Sequence, residues 1–164
     1  MGNSSSTGIG ISLEGVVESS AETGSGNLTP ERAWMNAGSA MTSTTKYTIS
    51  SADGMTHVRF HENPTIDDLK AAADEIVAGH PHERRLWDFR DVSYRFSMVE
   101  LNAISSYGKH KLPQPSRVAI LVSDDLAFGI GRQYEVSRSV PKHTQVRVFR
   151  DEQAALMWLY SSDE

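Results

Sequence analysis

The 164-residue chain contains no cysteine. Disulfides, thiolate nucleophiles and zinc–thiolate sites are therefore excluded, and the absence fits a cytoplasmic protein. Long apolar runs are missing too. None approaches the roughly 18 residues that a spanning helix requires, so no membrane span is expected. The N-terminus has neither the basic segment nor the apolar core of a secretory signal. Basic clusters are short, and the longest, Lys109-His110-Lys111, sits in a chain of net charge -5. A nucleic-acid surface would need clustered Lys and Arg, so none is expected. There is no G-x-S-x-G elbow, no H-E-x-x-H pair and no phosphate-binding loop. The chain therefore reads as non-enzymatic, with no metal or organic cofactor.

What is present divides near residue 41. Residues 1–40 are rich in Ser, Gly, Thr and Asn and carry one basic residue, Arg32. Such a segment offers too little apolar surface to offset its ordering entropy, so a disordered tail is expected. Within it, Ile9, Ile11 and Leu13 alternate as in a short strand. Thr29 and Pro30 form a respectable helix start. The opening "MGNSSST" matches the N-myristoylation pattern at Gly2 and Ser6, a short match that chance readily produces. Met41 is a second candidate translation start, with the domain, residues 41–164, beginning at it.

From Lys46 the pattern is regular. "KYTIS" and "MTHVRF" alternate apolar and polar residues around the turn signal "ADG", which predicts a hairpin. Thr56, Val58 and Phe60 fall on one face, and Met55, His57 and Arg59 on the other. A helix follows, capped by Thr65 and stopped by Gly79, with an apolar stripe of Ile66, Leu69, Ala73, Ile76 and Val77. "RRLWDFRDV" is a third strand running through Val92. Ser97 to Lys111 is a second helix, with Met98, Leu101 and Ile104 inward. "RVAILVS" is apolar throughout, as a central strand covered on both faces would be. "SDDLAFGIGRQYEVSRSV" is a third helix and "TQVRVFR" a fifth strand. A last helix is capped by Asp151. Strands alternating with helices imply parallel pairing. The expected fold is a single α/β domain with a five-stranded, mixed, mostly parallel sheet and four helices. The alternation in the outer strands predicts unequal cover on the two faces of the sheet.

The strand "LWDFRDV" leading to "FSMVEL", the unit "RVAILVSDDLAFGIGRQYE" and the ending "VRVFRDEQAALMWL" together resemble the SpoIIAA-like group of STAS domains, also described as STAS/SEC14-type. The likeness covers nearly all of the chain after Met41 and rests on the order and spacing of these core patterns. It implies strands adjacent in chain order and no catalytic cofactor. In anti-sigma-factor antagonists of this fold, a serine at the start of the helix after such a strand is phosphorylated, which controls binding to a kinase. Ser97 occupies the comparable place. The antagonists carry an Asp-Ser-Ser-Gly-like run, whereas this chain has Arg95-Phe96-Ser97-Met98, so the position carries over more safely than the modification.

Read from its own residues, "SMVE" is a capping box, which alone is reason for Ser97. A phosphate there would favour the helix dipole but displace the box and repel Glu100. Gly129 and Gly131 lie inside the third helix, where a G-x-G is no nucleotide fingerprint. Close packing on the sheet or room for a ligand would each explain them. Arg132 and Glu135 pair with each other or meet a partner's charge. Asp88, Asp91, Asp124 and Asp125 follow the strands, where carboxylates could hold Mg²⁺, although capping and turn roles fit better. The "HPH" run at His80 to His82 reads as a solvated loop. Trp87 and Phe89 are most simply core.

Two functional readings follow. In the first, a regulatory module engages a protein partner, a kinase or sigma-pathway regulator, through Tyr94, Phe96, Ser97, Phe128, Gly129, Gly131, Arg132 and Glu135. In the second, a carrier holds a small apolar ligand or lipid in a pocket beneath Phe128 and Trp87. An enzyme built on the Asp residues is the weakest alternative.

Overall fold

The computed structural model describes residues 40–139 and 143–162. The expected tail, its strand and helix starts and its myristoylation pattern lie outside these residues. The strands are β1 (Met41–Ser43), β2 (Tyr47–Ala52), β3 (Met55–Phe60), β4 (Arg84–Asp88), β5 (Ser116–Leu121) and β6 (Thr144–Phe149). The helices are α1 (Ile66–Gly79), α2 (Met98–Lys111), α3 (Asp125–Arg138) and α4 (Glu152–Tyr160). The sheet has six strands in chain order, β1 to β6. The first three pair antiparallel and the rest parallel. This is the sequential order that the SpoIIAA-like resemblance implies.

The sixth strand corrects the expected five. β1 is only three residues long and half-exposed, so its sequence carries no periodic signal. Its pairing with β2 makes it a strand. The β2–β3 turn places Asp53 at φ 50 and Gly54 at φ 71, the left-handed pair that a tight hairpin turn demands.

Parallel crossovers share one hand. Strands added in one direction therefore place every connecting helix on the same face. Helices α1, α2 and α3 cover that face, over a core that includes Ile49, Val58, Phe60, Trp87, Phe89, Ile120 and Val148. The opposite face has only α4, whose Ala155 and Leu159 pack on Met55, Leu86, Ala119 and Leu121. Central β5 is thus apolar on both sides, whereas β2 and β3 show half-buried polar residues on the face that α4 does not reach.

Several local expectations change. β4 ends at Asp88, because Phe89 makes a last hydrogen bond to Leu121 O at 2.8 Å before the chain turns. Val77 and Met98, expected inward, are 42% and 50% exposed. His80 is no loop residue in solvent but is 2% exposed. Its ring meets Ser51 Oγ at 2.5 Å and Thr42 Oγ1 at 3.2 Å, and its carbonyl accepts from Thr56 at 2.6 Å. Burial, helped by His82, lowers its pKa and keeps the ring neutral. It ties β1, β2 and β3 to the end of α1.

The two glycines of α3 differ. A Cβ on Gly131 would lie 3.0 Å from both Val148 methyl carbons, whereas one on Gly129 would meet nothing within 4 Å. Gly131→Ala is expected to destabilise the fold by about 1 kcal/mol or more through overpacking. Gly129→Ala is expected to stabilise it by about 1 kcal/mol through helix propensity. Urea midpoints of the two variants should move in opposite directions.

Candidate functional site

After β4 the chain turns and then runs extended. Val92 and Tyr94 are buried and Phe96 is half-buried, while Ser93 and Arg95 point out. This period of two continues the core face beyond the strand itself. The rings form a continuous run: Phe60 on Phe89 at 4.9 Å, Phe89 on Tyr94 at 4.8 Å and Tyr94 on Phe96 at 5.3 Å between centroids. The Tyr94 hydroxyl donates to Ala127 O at 3.2 Å, which fastens this segment to α3.

Between the segment, the sheet and the helices lies a pocket of about 70 Å³. Trp87, Val118 and Ile120 form its floor, and Phe89, Tyr94 and Phe96 one wall. Leu101 and Ile104 come from α2, and Ile130, Gly131, Tyr134 and Arg138 from α3. Beyond Ile104 the buried residues of α2 are Ser105 and Gly108, so that end of the helix fills little space. Arg138 occupies part of it: a Cβ on Gly108 would sit 3.4 Å from the Arg138 Nε.

Two guanidinium groups are buried here. Arg85 is 0% exposed and Arg138 is 1% exposed. Arg85 donates to His82 O at 2.9 Å and Pro113 O at 3.3 Å. Burial, and then the charge of Arg138, push its pKa down to about 10. The Nη1 and Nη2 of Arg138 have no hydrogen-bond partner among the described residues. The Tyr134 hydroxyl approaches Arg138 without the geometry of a full hydrogen bond; burial dominates and raises its pKa, and the nearby guanidinium opposes this. Neither arginine stood out in the sequence. A signal existed for Arg138, because Ala127, Gly131, Tyr134 and Arg138 recur at helical spacing and three of the four are buried.

The expected site residues fall into separate groups. Tyr94, Phe96 and Gly131 line the pocket. Phe128 does not, which corrects the expected position of a pocket beneath it; the ring lies under the Arg150 guanidinium at 4.7 Å. Gly129 is exposed. Arg132 pairs with Glu135 at 2.5 Å. The other Glu135 oxygen accepts from Val148 N at 3.2 Å, and Ser139 Oγ accepts from Val146 N at 3.1 Å. These bonds satisfy donors along the free edge of β6 and blunt it against further pairing. Ser97 is exposed and closes a full capping box. Its N–H and hydroxyl donate to Glu100 Oε2 at 2.7 and 2.8 Å, and it accepts from Glu100 N at 3.3 Å.

The aspartates do not converge. Asp124 caps α3, bonding Ala127 N at 2.8 Å, and Asp125 pairs with Arg150. Asp91 pairs with Arg59 at 2.7 Å. Asp88 is 1% exposed on the α4 side of the sheet. It meets Arg90 at 2.7 Å and His57 at 3.7 Å, and Arg90 also reaches Glu152 at 2.9 Å. Burial opposes ionisation of Asp88, but the nearby His57 ring and the hydrogen bonds and charge of Arg90 outweigh it and hold the carboxyl well below the usual range. No group of three His, Asp or Glu side chains among the described residues is placed to hold a metal. No described helix is long and apolar enough to cross a membrane.

No protein-family model matches the chain, and no curated protein matches it. Among solved structures it is similar to an uncharacterized protein of the DUF3478 family, with a SpoIIAA-like fold, from Shewanella loihica PV-4. The identity is 16%, over 74% of this chain and 91% of that one, with a TM-score of 0.43.

Because the folded pKa of Asp88 is depressed, its contribution to stability is complete above its unfolded pKa of about 3.9 and is lost as pH falls below that value. Asp88→Asn should destabilise the fold at neutral pH by on the order of 2 kcal/mol, less than for a fully buried pair because Arg90 is partly exposed. Its unfolding free energy should fall less steeply in acid than that of wild type. Parallel slopes would contradict the assignment.

Proposed function

We propose that the domain is a non-enzymatic binding module that holds a small, largely apolar molecule in the pocket between the three-helix layer and the sheet. One observation carries this reading: a space of about 70 Å³, walled by aromatic and aliphatic side chains, is left open. Protein interiors are close-packed, so a space of this size needs a reason. Apolar concavities with a few placed polar groups are the usual form of small-molecule sites. Phe96, Ile130 and Tyr134 are only half-buried, so the pocket opens toward the surface on their side. The polar groups at hand, Tyr94, Tyr134 and Arg138, serve recognition and not bond-making.

A partner-binding role at Ser97 has its own support. Residues 97–100 are all exposed, and Met98 and Val99 present apolar surface at 50% and 79% exposure beside the cap. A kinase or sigma-pathway regulator, as the resemblance implies, would find this helix start accessible. Ser97→Ala should cost about 1 kcal/mol of stability through the lost cap. Ser97→Asp keeps a capping oxygen and adds charge beside Glu100. An unchanged set of bound proteins in a pull-down with Ser97→Asp would sink the switch.

For the ligand reading, native mass spectrometry of freshly purified protein should show a non-covalent adduct in the small-molecule mass range. Hexan-1-ol should raise the melting temperature by mass action. Ile130→Trp, which fills the pocket from its rim, should abolish both effects. Protein that carries no adduct and does not respond to the alcohol would overturn the reading.

A further inference from the structure

Arg138 is the one charged residue among the described residues that line the pocket. It is 1% exposed, and neither Nη atom has a hydrogen-bond partner among the described residues. A guanidinium stays charged in proteins, and a buried charge without a partner is costly. Its neighbours deepen the deficit. Arg85, fully buried, adds a second positive charge close by; its Nη1 and Nη2 each donate to a backbone carbonyl, and its Nε has no partner among the described residues. The carbonyl of Ser137, near the end of α3, accepts from Lys109 at 3.0 Å and not from Arg138. The C-terminal end of α3 favours a cation, yet its described residues supply no hydrogen-bonded acceptor to these two donors. Among the described walls the Tyr134 hydroxyl approaches Arg138, but as a single neutral acceptor outside good hydrogen-bond geometry, and the side chains beside it are apolar.

Resting on the pocket reading above, the geometry points to a monocarboxylate with a short apolar body as the ligand, its carboxylate on Nη1 and Nη2 of Arg138 and its hydrocarbon against Trp87, Phe96, Leu101 and Ile130. The planar fork of a guanidinium matches the two oxygens of a carboxylate. A single negative charge suffices, because Arg85 does not line the pocket. The space available, about 70 Å³, takes the head and the first part of a chain. The remainder lies along the half-buried rim at Phe96 and Ile130.

Hexanoate and hexan-1-ol share a chain and differ in charge, so they separate this inference from the pocket reading. NMR titration of wild type should give hexanoate at least about tenfold tighter, as a charge-assisted hydrogen-bond pair would produce. Arg138→Met should erase that preference while still binding the alcohol, and Arg138→Lys should keep part of it. Equal binding of acid and alcohol by wild type overturns the carboxylate and leaves the pocket standing. A preference that survives unchanged in Arg138→Met also overturns it. No binding of either compound removes both readings. The wild-type comparison decides even if Arg138→Met does not fold.

Discussion

The direction in which the sheet grows governs the rest of this molecule. From β3 to β6 each strand is added on the same side of the last. With crossovers of one hand, three helices must then crowd one face while the other waits for the C-terminal helix. The crowded face needs large side chains to fill the gap between sheet and helices, and Phe60, Trp87, Phe89 and Tyr94 supply them. The sparse face needs few, and beyond the reach of α4 it can be polar. The pocket belongs to the crowded face. It opens where α2 runs out of bulk at Ser105 and Gly108 while α3 lies close to Val148 at Gly131.

Buried polar groups in this fold divide into the satisfied and the unsatisfied. His80 and Asp88 are fully engaged, one joining β1, β2 and β3 to α1 and the other joining β4 to α4 through Arg90 and Glu152. Such networks contribute when every member has a partner. Arg138, whose Nη atoms have no hydrogen-bond partner among the described residues, belongs to the second kind. A fold that left its Nη donors unused for no gain would be less stable than one with an aliphatic residue there. Unfavourable arrangements of this sort concentrate where a ligand is expected to complete them.

Much of the architecture was legible in the sequence. The caps at Thr65, Ser97, Asp124 and Asp151 rest on chemistry within a few residues, and all four form. The two-faced apolar character of β5 marked it as central. What escaped notice depends on contacts far apart in the chain. β1 is a strand only because β2 lies beside it, and His80 is buried only because Thr42 and Ser51 reach it. Of the candidate site residues, Tyr94, Phe96 and Gly131 meet at one pocket because they follow the core periodicity. Phe128, Gly129, Arg132 and Glu135 share a helix with Gly131 but face elsewhere. Arg138 carries no motif of its own, although its register places it inward.

The central claim is that the domain tolerates a buried cation whose Nη donors lack a hydrogen-bond partner among the described residues, in order to hold something that pairs with it. The most direct measurement is the unfolding free energy of Arg138→Met, without added ligand and from protein stripped of any adduct. Removal of an uncompensated charge should leave the variant as stable as wild type, or more stable by about 1–4 kcal/mol. A loss of about 3 kcal/mol or more, as expected when a well-partnered buried ion is removed, would contradict the account.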